Sequence, residues 1–187
     1  MNYCRLDFFS ILLLHYLLKT NNTMGKEIER KFLVKSDVYK SLAQGTHYHQ
    51  GYIPTVNGMT VRIRIAGEKA FITLKTRALG ITRHEFEYPI PVEEAQQMLD
   101  LMCAKPQIEK YRYVVPASTP EGDKGLCWEV DEFLGDNQGL TIAEIEVPAE
   151  DTVFDIPEWV GEEVTGDKCY YNSNLCKFPY KEWKNNN

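Results

Sequence analysis

Glu27-Ile28-Glu29-Arg30-Lys31 sets a charged residue at every second position, and this spacing decides the reading of the whole chain. It recurs in Arg62-Ile63-Arg64, Arg83-His84-Glu85-Phe86-Glu87, Lys110-Tyr111-Arg112, Glu129-Val130-Asp131 and Glu144-Ile145-Glu146, and in Thr73-Leu74-Lys75 with a polar Thr73 in place of one charge. A period of two is that of a β-strand, so within each segment the spaced charges share one face. Turn-prone stretches at 54–58, 66–68, 79–80, 116–125 and 135–139 divide the segments. Many short strands separated by turns predict an antiparallel barrel or sandwich.

Two helices interrupt the strands. Ser36-Asp37 can cap a short one ending near Gln44-Gly45, and Pro91, with Glu93 and Glu94 in the first turn, opens another that carries Met98, Leu99, Leu101 and Met102. Their apolar sides need a partner, which the Ile28, Ile63, Phe86, Tyr111, Val130 and Ile145 face can supply. Apolar residues then lie outside, under the helices, and the charges face a lumen.

A solvated sheet face usually mixes signs, because like charges directly opposed destabilise the sheet. Here most pairs along a strand are of one sign, with members only about 7 Å apart. Crowding them in a cavity of lowered dielectric is unfavourable unless something of opposite sign binds. The carboxylates of Glu27, Glu29, Glu85, Glu87, Glu129, Asp131, Glu144 and Glu146 call for a divalent cation, and hard oxygen ligands favour Mg2+ or Mn2+ over zinc. The basic set of Lys31, Arg62, Arg64, Lys75, Lys110, Arg112 and Lys168 calls for an anion rich in oxygens, such as phosphate. A lumen holding both signs suits phosphoryl chemistry, in which catalysis is mostly positioning and charge stabilisation.

The 187 residues fit one domain, and a net charge of -6 argues against a nucleic-acid footprint while leaving room for a local basic cavity. Five cysteines, an odd number with no Cys-x-x-Cys pair, read as free thiols in a cytoplasmic protein. Residues 1–23 differ from the rest: the apolar run 8–18 is too short for a bilayer of ~30 Å and precedes no small-residue cleavage site. We read 1–23 as a non-structural leader or a mis-assigned start, and 24–187 as the domain. His47-x-His49 reads as surface rather than a metal pair, and Trp128, Trp159 and Trp183 as packing or terminal residues.

Glu27-Ile28-Glu29-Arg30-Lys31 also resembles the Glu-x-Glu-x-Lys signature that opens proteins of the CYTH superfamily, the triphosphate tunnel metalloenzymes. Later pieces match in order: Gln50-Gly51-Tyr52, Val61-Arg62-Ile63-Arg64-Ile65, Thr73-Leu74-Lys75, Arg83-His84-Glu85-Phe86-Glu87, Glu109-Lys110-Tyr111-Arg112-Tyr113, Trp128-Glu129-Val130-Asp131, Ala143-Glu144-Ile145-Glu146-Val147 and the stretch 161–172. The chain looks like the short, single-domain bacterial branch.

That resemblance implies an α+β fold: an eight-stranded antiparallel β-barrel, or tunnel, with a charged lumen and covering helices. It implies hydrolysis of inorganic triphosphate by a metal-activated water, with Mg2+ or Mn2+. Arg62, Arg64, Lys75, Lys110 and Arg112 would hold phosphate oxygens, with Lys31, Arg83 and Lys168 as further basic contacts. Glu27, Glu29, Glu144 and Glu146 would bind metal, helped by Glu85, Glu87, Glu129 and Asp131. Lys110, Tyr52 and Glu29 would be catalytic; Tyr52 matches a tyrosine that in some short members lies near the lysine equivalent to Lys110. The expected partner is a small triphosphate, with neither nucleic acid nor membrane, and a homodimer is compatible. Alternatives are an adenylate cyclase, a thiamine or nucleoside triphosphatase, and a non-catalytic polyphosphate or nucleotide sensor.

Overall fold

A computed structural model describes residues 28–56, 58–77, 84–120 and 125–183. The reading of 1–23 as a leader, and the roles expected of Glu27 and Arg83, lie outside these residues.

The alternating segments form strands. They are β1 (Glu29–Val34), β2 (Thr46–Ile53), β3 (Thr60–Ala66), β4 (Lys69–Lys75), β5 (Glu85–Ile90), β6 (Ile108–Pro116), β7 (Cys127–Phe133), β8 (Thr141–Glu146) and β9 (Val160–Glu163). Among the described residues four α-helices accompany them: α1 (Tyr39–Leu42), α2 (Val92–Leu101), α3 (Asn172–Leu175) and α4 (Tyr180–Trp183). All strand pairs are antiparallel, in one sheet of order β5-β4-β3-β2-β6-β7-β8-β1-β9. Among the described residues the sheet thus has nine strands where the resemblance implies eight, because the four-residue β9 adds to the edge of β1. No pairing joins β5 to β9 among the described residues, so the tunnel-like sheet is not closed by hydrogen bonds.

Register puts the spaced charges on one face, as period two requires. Glu29 faces Glu146, Lys31 faces Glu144, Glu129 faces Glu144, Arg112 faces Asp131, and Lys75 faces Glu85. Lys31, Lys75, Lys110, Arg112, Asp131 and Glu144 are all buried on this face. Among the described residues no further strands cover this face, so the burial of so many charges means that the sheet curls around it.

The other face carries the core in two parts. Around Trp128, Val130, Ala143 and Ile145 the cover is Tyr39 of α1 together with Phe154 and Trp159 from the irregular segment after β8. Over Ile63 and Ala70 the cover is α2, whose buried stripe of Ala95, Leu99 and the following Cys103, flanked by Val92 and Met98, has helical spacing. Leu101 and Met102, expected on that stripe, fall off it and are exposed. Phe86 and Tyr111, expected under the helices, are also exposed, because neither cover reaches them. α2 lies so close to β2 that a Cβ at Gly51 would come within 2.7 Å of the Cys103 Cβ. The Gln50-Gly51-Tyr52 strand therefore needs its glycine for helix contact.

A third cluster lies on the charged side. Ile108, Phe133 and Ile142, at one end of the inward-facing rows, pack with Leu140 and Leu175, joined by Tyr170, Tyr180 and Trp183. The C-terminal segment thus docks on the inner face and seals that end.

Candidate active site

The strand order splits the inner face into two halves. β1, β8, β7 and β6 carry the acid-rich half, β3, β4 and β5 carry the arginine-rich half, and β2 runs between them.

In the acid-rich half every buried carboxylate leans on a base. Arg112 donates to both oxygens of Asp131 (Nε to Oδ1 2.6 Å, Nη2 to Oδ2 2.5 Å), to Glu129, and to Glu144 at 3.1 Å. Lys31 bonds Glu29 at 2.9 Å and also Glu144. Lys110, its side chain 2% exposed, pairs with the fully buried Asp131 and donates to Asn172 Oδ1 at 3.4 Å. Glu146 lies opposite Glu29 on the same face.

Burial and these partners decide the protonation. Burial penalises the Lys31 ammonium, yet Glu144 and then Glu29 overcome this and raise its pKa. Burial would lift the Glu144 carboxyl, but Lys31 and Arg112 hold it well below the usual carboxylate range. Lys110 goes the other way: burial, and then the charge on Arg112, bring its pKa down to about 8 against the pull of Asp131. Lys110 is thus the base of this half that gives up its proton most readily.

In the arginine-rich half, Arg62 donates to Thr73 (3.1 Å) and Glu87 (3.2 Å), Arg64 donates to both oxygens of Glu87 (3.0 and 2.9 Å), and Lys75 pairs with Glu85 (2.6 Å). Arg64 Nε is buried and has no hydrogen-bond partner among the described residues. Burial, and next the charge of Arg62, lower the Arg64 pKa. A buried guanidinium N–H with no partner is costly by itself and is matched by an anion with several oxygens.

Tyr48, Gln50 and Tyr52 line the inner face of β2. Tyr52 accepts from Gln50 (3.1 Å) and stands opposite Arg62, and burial raises its pKa. The residue directly across from Lys110 is Tyr48, with Tyr52 about 13 Å further along the strand. Lys168 is exposed in the turn before α3. His47 and His49 face outward, near Glu109 (3.4 Å) and Gln107 (2.7 Å) respectively. Sequence reasoning missed Tyr48, Gln50, Thr73 and Asn172. Gln50 lies two before Tyr52 and shares its face, and extending that alternation back to Thr46 brings in Tyr48 as well.

Among the described residues no three acids, histidines or cysteines converge closely enough to hold a metal ion, because the carboxylates lean on Lys31, Lys110 and Arg112. The donor chemistry nonetheless fits a divalent cation. Glu29 with Glu146, and Glu129 with Glu144, are like-charged pairs opposed in register, which a hard cation would relieve.

Comparison with known proteins places this arrangement. The CYTH domain family model matches residues 25–171. An inorganic triphosphatase of Acetivibrio thermocellus is 53% identical over 161 residues, spanning 86% of this chain and 99% of the relative. Another inorganic triphosphatase, from Nitrosomonas europaea, is 36% identical over 152 residues, spanning 80% and 95%. The crystal structure of an inorganic triphosphatase superposes with a TM-score of 0.56 at 32% identity, covering 80% of this chain and 97% or 93% of the solved chain in two determinations of NE1496, the first at 33% identity. With its charged strand face, the order of its motifs and these matches in agreement, the chain belongs to the CYTH domain family.

Proposed function

We propose that this protein is a divalent-cation-dependent inorganic triphosphatase. The observation that carries the reading is the inner face itself, where the buried, unmatched Arg64 N–H shares one surface with opposed carboxylate pairs. That two relatives matching most of the chain are inorganic triphosphatases supports it.

Arg64, Arg62 and Lys75 would grip phosphate oxygens, exchanging Glu87 and Glu85 for substrate. Glu29, Glu144 and Glu146, with Glu129 and Asp131, would hold Mg2+ or Mn2+. When bound, such a cation supplies Lewis acidity toward phosphate oxygens and water. Water oxygen would bond to the terminal phosphorus as the bridging P–O bond breaks and the water's proton passes to solvent, leaving phosphate and pyrophosphate. Lys110 and Arg112 would stabilise the charge that develops on the departing pyrophosphate, an interaction strongest in the transition state. Glu27, Arg83 and Lys168 remain further expected contacts, and Tyr52, held by Gln50 and opposite Arg62, would meet the same phosphate.

The test is phosphate release by the purified full chain from inorganic triphosphate, ATP and thiamine triphosphate in parallel, with Mg2+, Mn2+ or chelator. Metal-dependent release that is fastest from inorganic triphosphate supports the reading. Tight binding of triphosphate without turnover moves the protein to a sensor, and cyclic nucleotide from ATP moves it to a cyclase.

A further inference from the structure

Tyr48 occupies the one strand that separates the two halves of the inner face. Its directly opposed partners are Lys110 on β6 and Ala66 on β3. Its diagonal neighbours are Arg64, opposite Gln50, and Arg112, opposite Thr46. Diagonal inward positions are within reach of aromatic and long side chains, and the small Ala66 leaves the ring room on the β3 side. Both guanidiniums come over the ring, Arg64 Cζ at 5.7 Å and Arg112 Cζ at 5.4 Å from its centroid.

The two arginines are anchored unequally. Arg112 is held at its edge by three carboxylates, so its face is left for the ring. Arg64 is bonded through Nη2 to one carboxylate while its buried Nε has no partner among the described residues, and it also lies 5.5 Å from the Phe71 ring. Stacking on aromatic rings therefore supplies much of what orients Arg64. Because the π-face is electronegative, a ring that both cations approach also offsets their mutual repulsion.

We propose that Tyr48 is a positioning residue that aims Arg64, with Arg112 as its fixed counterpart, so that the two halves of the groove act on a single polyphosphate anion. This rests on the triphosphatase reading for the identity of the anion. The ring, and not the hydroxyl, is the acting group. Loss of the ring weakens a grip made in substrate and transition state alike, which raises KM more than it lowers kcat.

The experiment compares full-length wild type, Tyr48→Phe and Tyr48→Leu in steady-state turnover of inorganic triphosphate with Mg2+, with thermal unfolding of each. Tyr48→Phe should stay within about twofold of wild type in KM, and Tyr48→Leu should raise KM about tenfold with a smaller fall in kcat. Should Tyr48→Leu not fold, Tyr48→Met, which keeps volume without the π-face, takes its place with the same expectation. Equal damage from Tyr48→Phe and Tyr48→Leu would assign the effect to the hydroxyl and overturn the proposal, as would an unchanged KM in a folded ring-less variant. If wild type neither binds nor cleaves triphosphate, the triphosphatase reading fails separately. Binding of inorganic phosphate by the same variants then decides: weaker binding confined to the ring-less variant upholds Tyr48 as positioning residue, and equal binding in all three overturns it.

Discussion

Glu129 stands directly across from Glu144 on the neighbouring strand, and one guanidinium, that of Arg112, bonds both while gripping Asp131. Opposed acids are a cost to a sheet, so Arg112 is the counterion that permits the acid-rich half to fold. Replacing Arg112 with Met leaves three carboxylates around a missing charge and should cost roughly 3–5 kcal/mol of stability in chelator, read by urea unfolding. Added Mg2+ should recover more stability in Arg112→Met than it adds to wild type, because the same carboxylates offer it a site. A variant as stable as wild type would show that Arg112 is not their counterion.

Glu144 gives the pH dependence. Burial favours its neutral form, but Lys31 and then Arg112 win and depress its pKa in the folded state. A depressed carboxyl contributes stability that is fully present above the unfolded value, about 4.3, and is lost as pH falls through the folded value. In metal-free buffer the wild-type chain should therefore lose stability steadily below about pH 4.3, and Glu144→Gln should start lower but lose less over that range. Parallel acid profiles for the two proteins would contradict the assignment.

The docked C-terminal segment separates stability from activity. Leu175 is fully buried against Ile108, Phe133, Leu140 and Ile142. Leu175→Ala should cost roughly 2–5 kcal/mol in urea unfolding, the range for a cavity of that size. Asn172→Ala removes only the acceptor at 3.4 Å from Lys110, so it should lower kcat while leaving the unfolding midpoint almost unchanged.

Much of this was legible in the sequence, and what was not has a physical reason. The alternation in Arg62-Ile63-Arg64 or Glu144-Ile145-Glu146 is local, so strands and their charged faces could be read directly. Which acid meets which base depends on an order in which β2 neighbours β6 and β1 neighbours β8, pairings between segments far apart in the chain. Arg112 thus reads in sequence as a phosphate contact, and in the structure it is engaged by Asp131, Glu129 and Glu144. Trp183 reads as a terminal residue, but it edges onto Tyr170 and Tyr180 in the cluster that seals one end of the groove. Nothing in a short tail announces the surface it will meet. Pro91 and the acidic first turn mark helix α2 in the sequence, and its exposed Leu101 and Met102 show that apolar content alone does not define the buried stripe.

Gly51 ties the site strand to its cover. A methyl there would meet the Cys103 Cβ at 2.7 Å and a Leu99 methyl at 3.1 Å, so helix and strand must separate. Gly51→Ala should destabilise by roughly 1–3 kcal/mol through overpacking, and Gly51→Ala combined with Cys103→Gly should recover part of that loss. Thermal unfolding of the single and double variants checks both statements.

The most direct test of the shared inner face as a triphosphate site is the kcat/KM of Arg64→Met for inorganic triphosphate with Mg2+, measured beside its unfolding midpoint. Arg64 holds a single carboxylate and an unmatched buried N–H, so its loss should reduce kcat/KM by roughly 100-fold or more while leaving stability near wild type. Unchanged kcat/KM in a folded Arg64→Met protein would contradict a triphosphate bound on this face.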